Sequence, residues 1–200
     1  MPRRGCIEMD NKADFSRKVR PRSDMANTRN YILHGLFFLL YSLFKYWSFP
    51  FSNLFRFAVI RLFGAEIKST YISDGVTIWF PWLVKVGRNC SLNQGVNIDG
   101  YGGVTLGDGV RVAAYVCINS SDHDFSQPDV PISEQGMITA PVVIEDDVWI
   151  GNHVVINRGV RIGRGSVIGS SSVVTRDIPP YSVAVGAPCK VIRSRKPAKA

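Results

Sequence analysis

The chain has 200 residues, 46% of them hydrophobic, and a formal net charge of +8; that is enough apolar material for one packed domain with an extension. The charge is uneven: residues 1–65 carry eleven Lys/Arg against Glu8, Asp10, Asp14 and Asp24, residues 66–189 sum to −4, and residues 190–200 add +5. An acidic body between basic ends, with no recognised nucleic-acid motif, argues against a nucleic-acid partner and for a phosphate-bearing ligand or an anionic membrane surface.

In chain order, residues 1–30 are polar, carry both signs of charge and show no secretory signal, so a disordered basic segment in a cytoplasmic protein is expected. The four cysteines, Cys6, Cys90, Cys117 and Cys189, form no CxxC pair. They read as free thiols in a reducing compartment, with Cys90 and Cys117 at inward-facing positions. Residues 31–64 are aromatic and aliphatic. Their charge-free run 31–44 is fourteen residues long, short of the about 20 needed to span a bilayer, and Pro50 breaks the apolar stretch beyond it. Two readings stand: a pair of helices packed on the body or on a neighbouring subunit, or peripheral membrane contact through residues 31–63. In the second, Lys45, Tyr46, Trp47, Arg56 and Arg61 would lie at headgroup level.

From residue 65 a six-residue beat sets in. It is rough at first, in Ile72, Ile78 and Val84, then Val86, Leu92 and Ile98, then Leu106, Val112 and Ile118, with slips of two residues that imply enlarged corners. From Ile144 it is regular: IEDDVW, IGNHVV, INRGVR, IGRGSV, IGSSSV, VTRDIP. Each hexad opens on an aliphatic residue, carries a small or aliphatic one at its fifth place (Val148, Val154, Val160, Ser166, Ser172, Ile178), and has turn-suited residues such as Gly151 and Gly163 at its second. A helix would want apolar spacings of three and four. The hexads instead predict short strands joined by tight corners, three to a coil, with coils stacked about 4.8 Å apart as a parallel β-helix over 65–188. The beat breaks over residues 119–142, a polar stretch rich in Pro, Ser and Asp that is expected to form a loop outside the prism, on its working face. Residues 189–200 read as a basic tail.

The hexads, the looped-out histidine and the closing DIPPYSVAVGAPCKVIR resemble the hexapeptide-repeat acyltransferases, over roughly residues 65–195. Within them the chain is similar to the sugar O-acetyltransferases, galactoside and maltose acetyltransferases among them, and Phe80-Pro81-Trp82 with the SDHDF stretch suggests the exopolysaccharide (colanic-acid-type) branch. The resemblance implies an all-β, left-handed parallel β-helix, although right-handed crossovers are the general rule. It also implies acetyl-CoA as acyl donor, a sugar or glycan acceptor of exopolysaccharide, capsule or lipopolysaccharide synthesis, and a homotrimer with active sites between subunits.

Acyl transfer to a hydroxyl needs a base near neutrality, for which histidine is suited. Of the three histidines, His34 lies in the apolar N-terminal segment and His153 at an outward hexad place. His123, between Asp122 and Asp124 where the repeat yields to the loop, falls on the family's catalytic histidine, and either carboxylate or a backbone carbonyl could orient it. The resemblance further implies that Asn93 reaches the acceptor or the catalytic site across a subunit boundary. It implies an acidic sugar ligand too, for which Asp99 stands about two positions from the family's place. Trp149 would wall the acyl or pantetheine groove. Asn152 and Ser170, with Thr175 and Arg176, match corners that hold the pantetheine arm, and Lys190 and Arg193 match cations that meet the adenosine phosphates. No metal is expected: a β-helix zinc hydratase needs three convergent histidines. An N-acetyltransferase of a nucleotide-linked amino sugar on the same fold, and a non-enzymatic scaffold, remain as alternatives.

Overall fold

The computed structural model describes residues 18–20 and 28–196. The hexads fold as the spacing requires, into a left-handed parallel β-helix of about six coils whose cross-section is a triangle. The first face stacks Glu66–Ile67, Val84–Val86, Val104–Leu106, Val142–Ile144 and Arg161–Ile162. The second stacks Thr70–Ile72, Cys90–Leu92, Arg111–Val112, Trp149–Ile150, Val167–Ile168 and Ser182–Val185. The third stacks Thr77–Trp79, Asn97–Asp99, Cys117–Asn119, Val155–Ile156 and Val173–Val174.

Register places like residues on like. Ile78, Ile98, Ile118, Ile156 and Val174 form one buried ladder up the third face, and Ile72, Leu92, Val112, Ile150 and Ile168 form another up the second. These are the hexad-opening residues, so the core is a continuous aliphatic column that no single coil could bury alone. The turn itself falls at the fourth hexad place, not the second: Asp147, His153, Gly165 and Ser171 all have positive φ. The second-place glycines serve coil stacking, since a Cβ on Gly151 would lie 2.6 Å from the Ser170 amide nitrogen. Ile178 does not close the sixth hexad as a fifth-place residue. It bridges to Ile162 and begins a new turn, because the corner after Val174 is two residues short.

The enlarged corners all lie at the exit edge of the third face. Residues 80–83 hold the 3-10 turn Pro81–Leu83, 100–103 hold a glycine-rich turn, and 120–141 hold the long excursion. That excursion is partly ordered: Ser121–His123 pairs antiparallel with Met137–Thr139, and a short helix, Ile132–Gln135, lies between them.

Four further expectations are corrected. Residues 1–17 and 21–27 lie outside the described residues, but Lys18–Arg20 forms a strand paired with Met137–Thr139, so the expected disordered segment contains ordered backbone. The basic tail is a strand as far as Ser194: Lys190–Ser194 pairs antiparallel with Ser182–Val185 and closes the second face. Cys90 faces inward as expected, but Cys117 faces outward beside Asn97, because in Cys117–Asn119 it is Ile118 that enters the core.

The fourth correction concerns Arg56. Helices α1 (Thr28–Lys45) and α2 (Ser52–Leu62) cap the N-terminal end of the prism, with Phe37, Tyr41, Val59 and Ile60 buried against the first coil. Arg56 is not at a headgroup level but 2% exposed. Its guanidinium donates to Ile72 O (2.9 Å), Phe44 O (3.2 Å), Trp47 O (2.7 Å) and Ser52 Oγ (3.1 Å). Three of these acceptors are backbone carbonyls, Phe44 O in the last turn of α1, where the helix dipole favours a cation, and Trp47 O just past it. Tyr41 Oη donates to Val76 O (3.0 Å), and the Gly75 amide donates to Lys45 O (2.8 Å), completing the cap.

Candidate active site

His123 ends the first strand of the excursion and is exposed. The root of that strand is held by a buried hydroxyl. Ser120 Oγ donates to Asp99 O (2.6 Å) and accepts from the Gly102 amide (2.7 Å). A Cβ on Gly102 would collide with Ser120 O, so glycine is required there. Asp99 completes the brace: Oδ1 accepts from the Tyr101 amide (3.0 Å) and Oδ2 from the Ser121 hydroxyl. Expected as a sugar ligand, Asp99 is thus engaged by its own chain through both oxygens. Ser120 and Ser121 were not singled out from sequence, where they read as loop polarity.

Neither flanking carboxylate is bonded to the His123 ring. Asp122 projects from the opposite side of the strand and lies 2.6 Å from Arg158 Nε, an ion pair that ties the excursion to the next coil. Asp124 is turned back on its own loop, with Oδ1 accepting from the Ser126 amide (2.9 Å). That bond, with others from the Ser126 side chain and the Phe125 amide and against a smaller opposing effect of burial, holds its carboxyl below the usual range. Arg158, also missed from sequence, lines an open groove of about 860 Å³ with Thr175 and Arg176.

The remaining candidates stand elsewhere. Asn93, Asn152 and Ser170 lie at the entry edge of the third face, where Asn152 Oδ1 accepts from the Ala114 amide (3.1 Å) and Asn152 O from the Ser171 amide (2.8 Å). Trp149 faces outward on the second face beside that edge and is 55% exposed. His153 stacks on Tyr115 at the same corner with a centroid distance of 5.2 Å. Lys190 and Arg193 are exposed on the closing strand. His123, Thr175 and Arg176 therefore share the exit edge, and Asn93, Asn152 and Ser170 share the entry edge. A strand's width separates them, six residues from Asn93 to Asp99, or up to about 20 Å at roughly 3.3 Å each. One chain does not bring the two groups together. Among the described residues, no three His, Cys, Asp or Glu side chains converge as a metal site.

A solenoid of hexads with a histidine-bearing excursion at one corner defines a class of β-helical transferases, and the comparisons agree. The family model described as bacterial transferase hexapeptide (six repeats) matches residues 141–176. The chain is 44% identical over 134 residues to the galactoside O-acetyltransferase of Escherichia coli K12, covering 66% of this chain and 64% of that enzyme. It superposes on a maltose O-acetyltransferase from Clostridium difficile 630 with a TM-score of 0.78 and 28% identity, covering 92% and 95% of the two chains. A hexapeptide-repeat acetyltransferase from Vibrio cholerae O1 biovar eltor, complexed with acetyl coenzyme A, gives 0.75 and 27%, covering 87% and 93%. Residues 141–176 carry the repeat of the hexapeptide transferase family. The matched stretch spans a little under two thirds of the galactoside enzyme's length.

Proposed function

We propose that this protein is an acetyl-CoA-dependent O-acetyltransferase acting on a sugar hydroxyl of a cell-surface glycan precursor, with His123 as general base. The observation that carries this reading is the placement of His123: it is exposed on a braced strand at the corner that also bears Thr175 and Arg176. The named relatives act on galactosides and maltose.

The residues fit a coenzyme A donor. Small-residue corners at Asn152 and Ser170 leave room for an extended amide-bearing arm, exposed Trp149 offers an apolar wall, and Arg176, Lys190 and Arg193 offer cations for its phosphates. His123 takes the proton from the acceptor hydroxyl, the oxygen forms a bond to the acetyl carbonyl carbon, and the thiol leaves as the carbon–sulfur bond breaks, recovering that proton. No covalent enzyme intermediate is required.

The two half-sites at opposite edges of the third face support a homotrimer. If three copies meet about that face, the entry edge of one comes against the exit edge of the next, and Asn93 approaches a neighbour's His123. The half-buried outward row Asn97, Cys117, Val155 and Val173 is uncharged, as the core of such an interface requires. The test is thiol release from acetyl-CoA with simple sugars, lipid-linked glycans and nucleotide amino sugars as acceptors. His123→Ala should lower turnover by about 10²–10⁴ and leave acetyl-CoA binding intact. Unchanged turnover would remove His123 from the mechanism, and a preference for the amine acceptor would replace O-transfer by N-transfer.

A further inference from the structure

The proposed chemistry leaves unused the outer face of the helical cap. On α1, Ile32, Leu36, Leu39 and Leu43 are all exposed, Leu39 by 69%, and Tyr46, the first residue past its end, is exposed as well. Their spacing of three and four residues puts them on one stripe, opposite the stripe of Phe37 and Tyr41 that meets the prism. The helix is therefore apolar on both sides, a pattern of helices buried all round. The turn between the helices adds Trp47, Phe49 and Phe51, the last 75% exposed, and α2 continues with Leu54, Phe55 and Leu62.

Charge identifies what covers this face. No acidic residue occurs between Asp24 and Glu66. Arg29 and Arg61 are exposed, Lys45 lies 5.1 Å over the Tyr46 ring at the turn, and Arg56 is used up inside. A second copy of the chain meeting this face would set its cations against identical cations with no carboxylate to receive them. A bilayer with anionic headgroups supplies both the countercharge and the apolar layer, and Tyr and Trp suit the boundary between the two. No helix among the described residues is long and apolar enough to cross a membrane, so the pair would lie in the interface plane.

We propose that the α1–α2 hairpin is an interfacial anchor that seats the protein on an anionic lipid bilayer through the Ile32–Leu36–Leu39–Leu43–Tyr46 stripe and the aromatic turn. Its position bears on the acceptor. Phe38, on the flank of α1, packs on Trp79 at 4.7 Å. Trp79 is in register with Asp99 and, through it, with Asn119, from which the His123 strand departs. Those are two coil steps, about 10 Å. A glycan held at the membrane surface by a lipid carrier would meet the site along this edge; that extension rests on the acetyl-transfer reading, whereas the anchor does not.

The test is co-sedimentation of the full-length protein with phosphatidylcholine vesicles, with and without phosphatidylglycerol. Binding should require phosphatidylglycerol and weaken with added salt. Leu39→Glu/Leu43→Glu should lower the partition coefficient by at least about tenfold, since burying one leucine side chain is worth that factor. Lys45→Glu/Arg61→Glu should weaken binding at low salt. Both variants should keep the wild-type far-UV circular dichroism, and turnover on a soluble acceptor reports the transfer reading separately. Wild type that fails to sediment with phosphatidylglycerol vesicles overturns the anchor. So does a loss of solution mass in Leu39→Glu/Leu43→Glu by light scattering, which would give the face to a second copy.

Discussion

Arg56→Met should release the helical cap from the prism while leaving the later coils intact. The guanidinium serves four acceptors at once, Ile72 O, Phe44 O, Trp47 O and Ser52 Oγ, of which Phe44 O also accepts from the Trp47 amide (3.3 Å). Hydrogen bonds to a charged group contribute about 1.5–3 kcal/mol each, and four would be roughly 6–12 kcal/mol gross. Burying an unpaired cation offsets several kcal/mol of that, although the C-terminal carbonyls of α1 recover part through the helix dipole. A net loss of about 3–5 kcal/mol is expected, in line with other losses of one member of a buried charged network. Because coils in a solenoid contact only their neighbours, the loss should be local. Amide exchange across α1 and α2 should speed by roughly 10²–10³-fold or more, with strands Val155–Ile156 and Val173–Val174 unchanged. Arg56→Lys should rescue little, since an ammonium cannot span acceptors on three segments. Exchange in α1 that changes by less than about tenfold would refute the reasoning and leave Phe37, Tyr41, Val59 and Ile60 as sufficient to hold the cap.

Ser120→Ala removes the buried hydroxyl that fixes the root of the His123 strand and should cost about 1–3 kcal/mol; kcat should fall while acetyl-CoA affinity holds, and an unchanged kcat would make the brace irrelevant to catalysis. His34 sits between Phe80 and Trp82, with ring centroids at 4.3 and 4.8 Å, and burial pushes its pKa below the ordinary imidazole value. The unfolded chain then binds the extra proton first as pH falls through about 6.5, so stability should drop between about pH 7 and 5. His34→Phe should flatten that dependence, read as the denaturation midpoint against pH, and an equal slope in both proteins would place the titration elsewhere.

The sequence by itself determined the prism. A hexad is a local statement about which residue points inward, and repetition makes the local statement global: Ile144, Ile150, Ile156, Ile162 and Ile168 need only like neighbours to stack on. The same regularity exposed the excursion that carries His123, since a break in a beat is as legible as the beat. Tertiary structure decided what the period does not encode. Whether Cys117 or Ile118 enters the core depends on where a three-residue strand meets its corner, and a slip of one residue exchanges the faces. Lys18–Arg20 becomes a strand only because the distant edge Met137–Thr139 offers unpaired backbone, and Lys190–Ser194 because the chain doubles back on the edge strand Ser182–Val185. Arg56 reads as a surface cation until the carbonyls of α1 and the first coil converge on it. Asp122 and Asp124, which flank His123 in sequence, and Asp99, read from sequence as a sugar ligand, are each claimed by nearer donors: Arg158, Ser126, and Tyr101 with Ser121. The two groups of candidate residues remain on opposite edges of one face, because a single convex prism cannot turn both toward the same point.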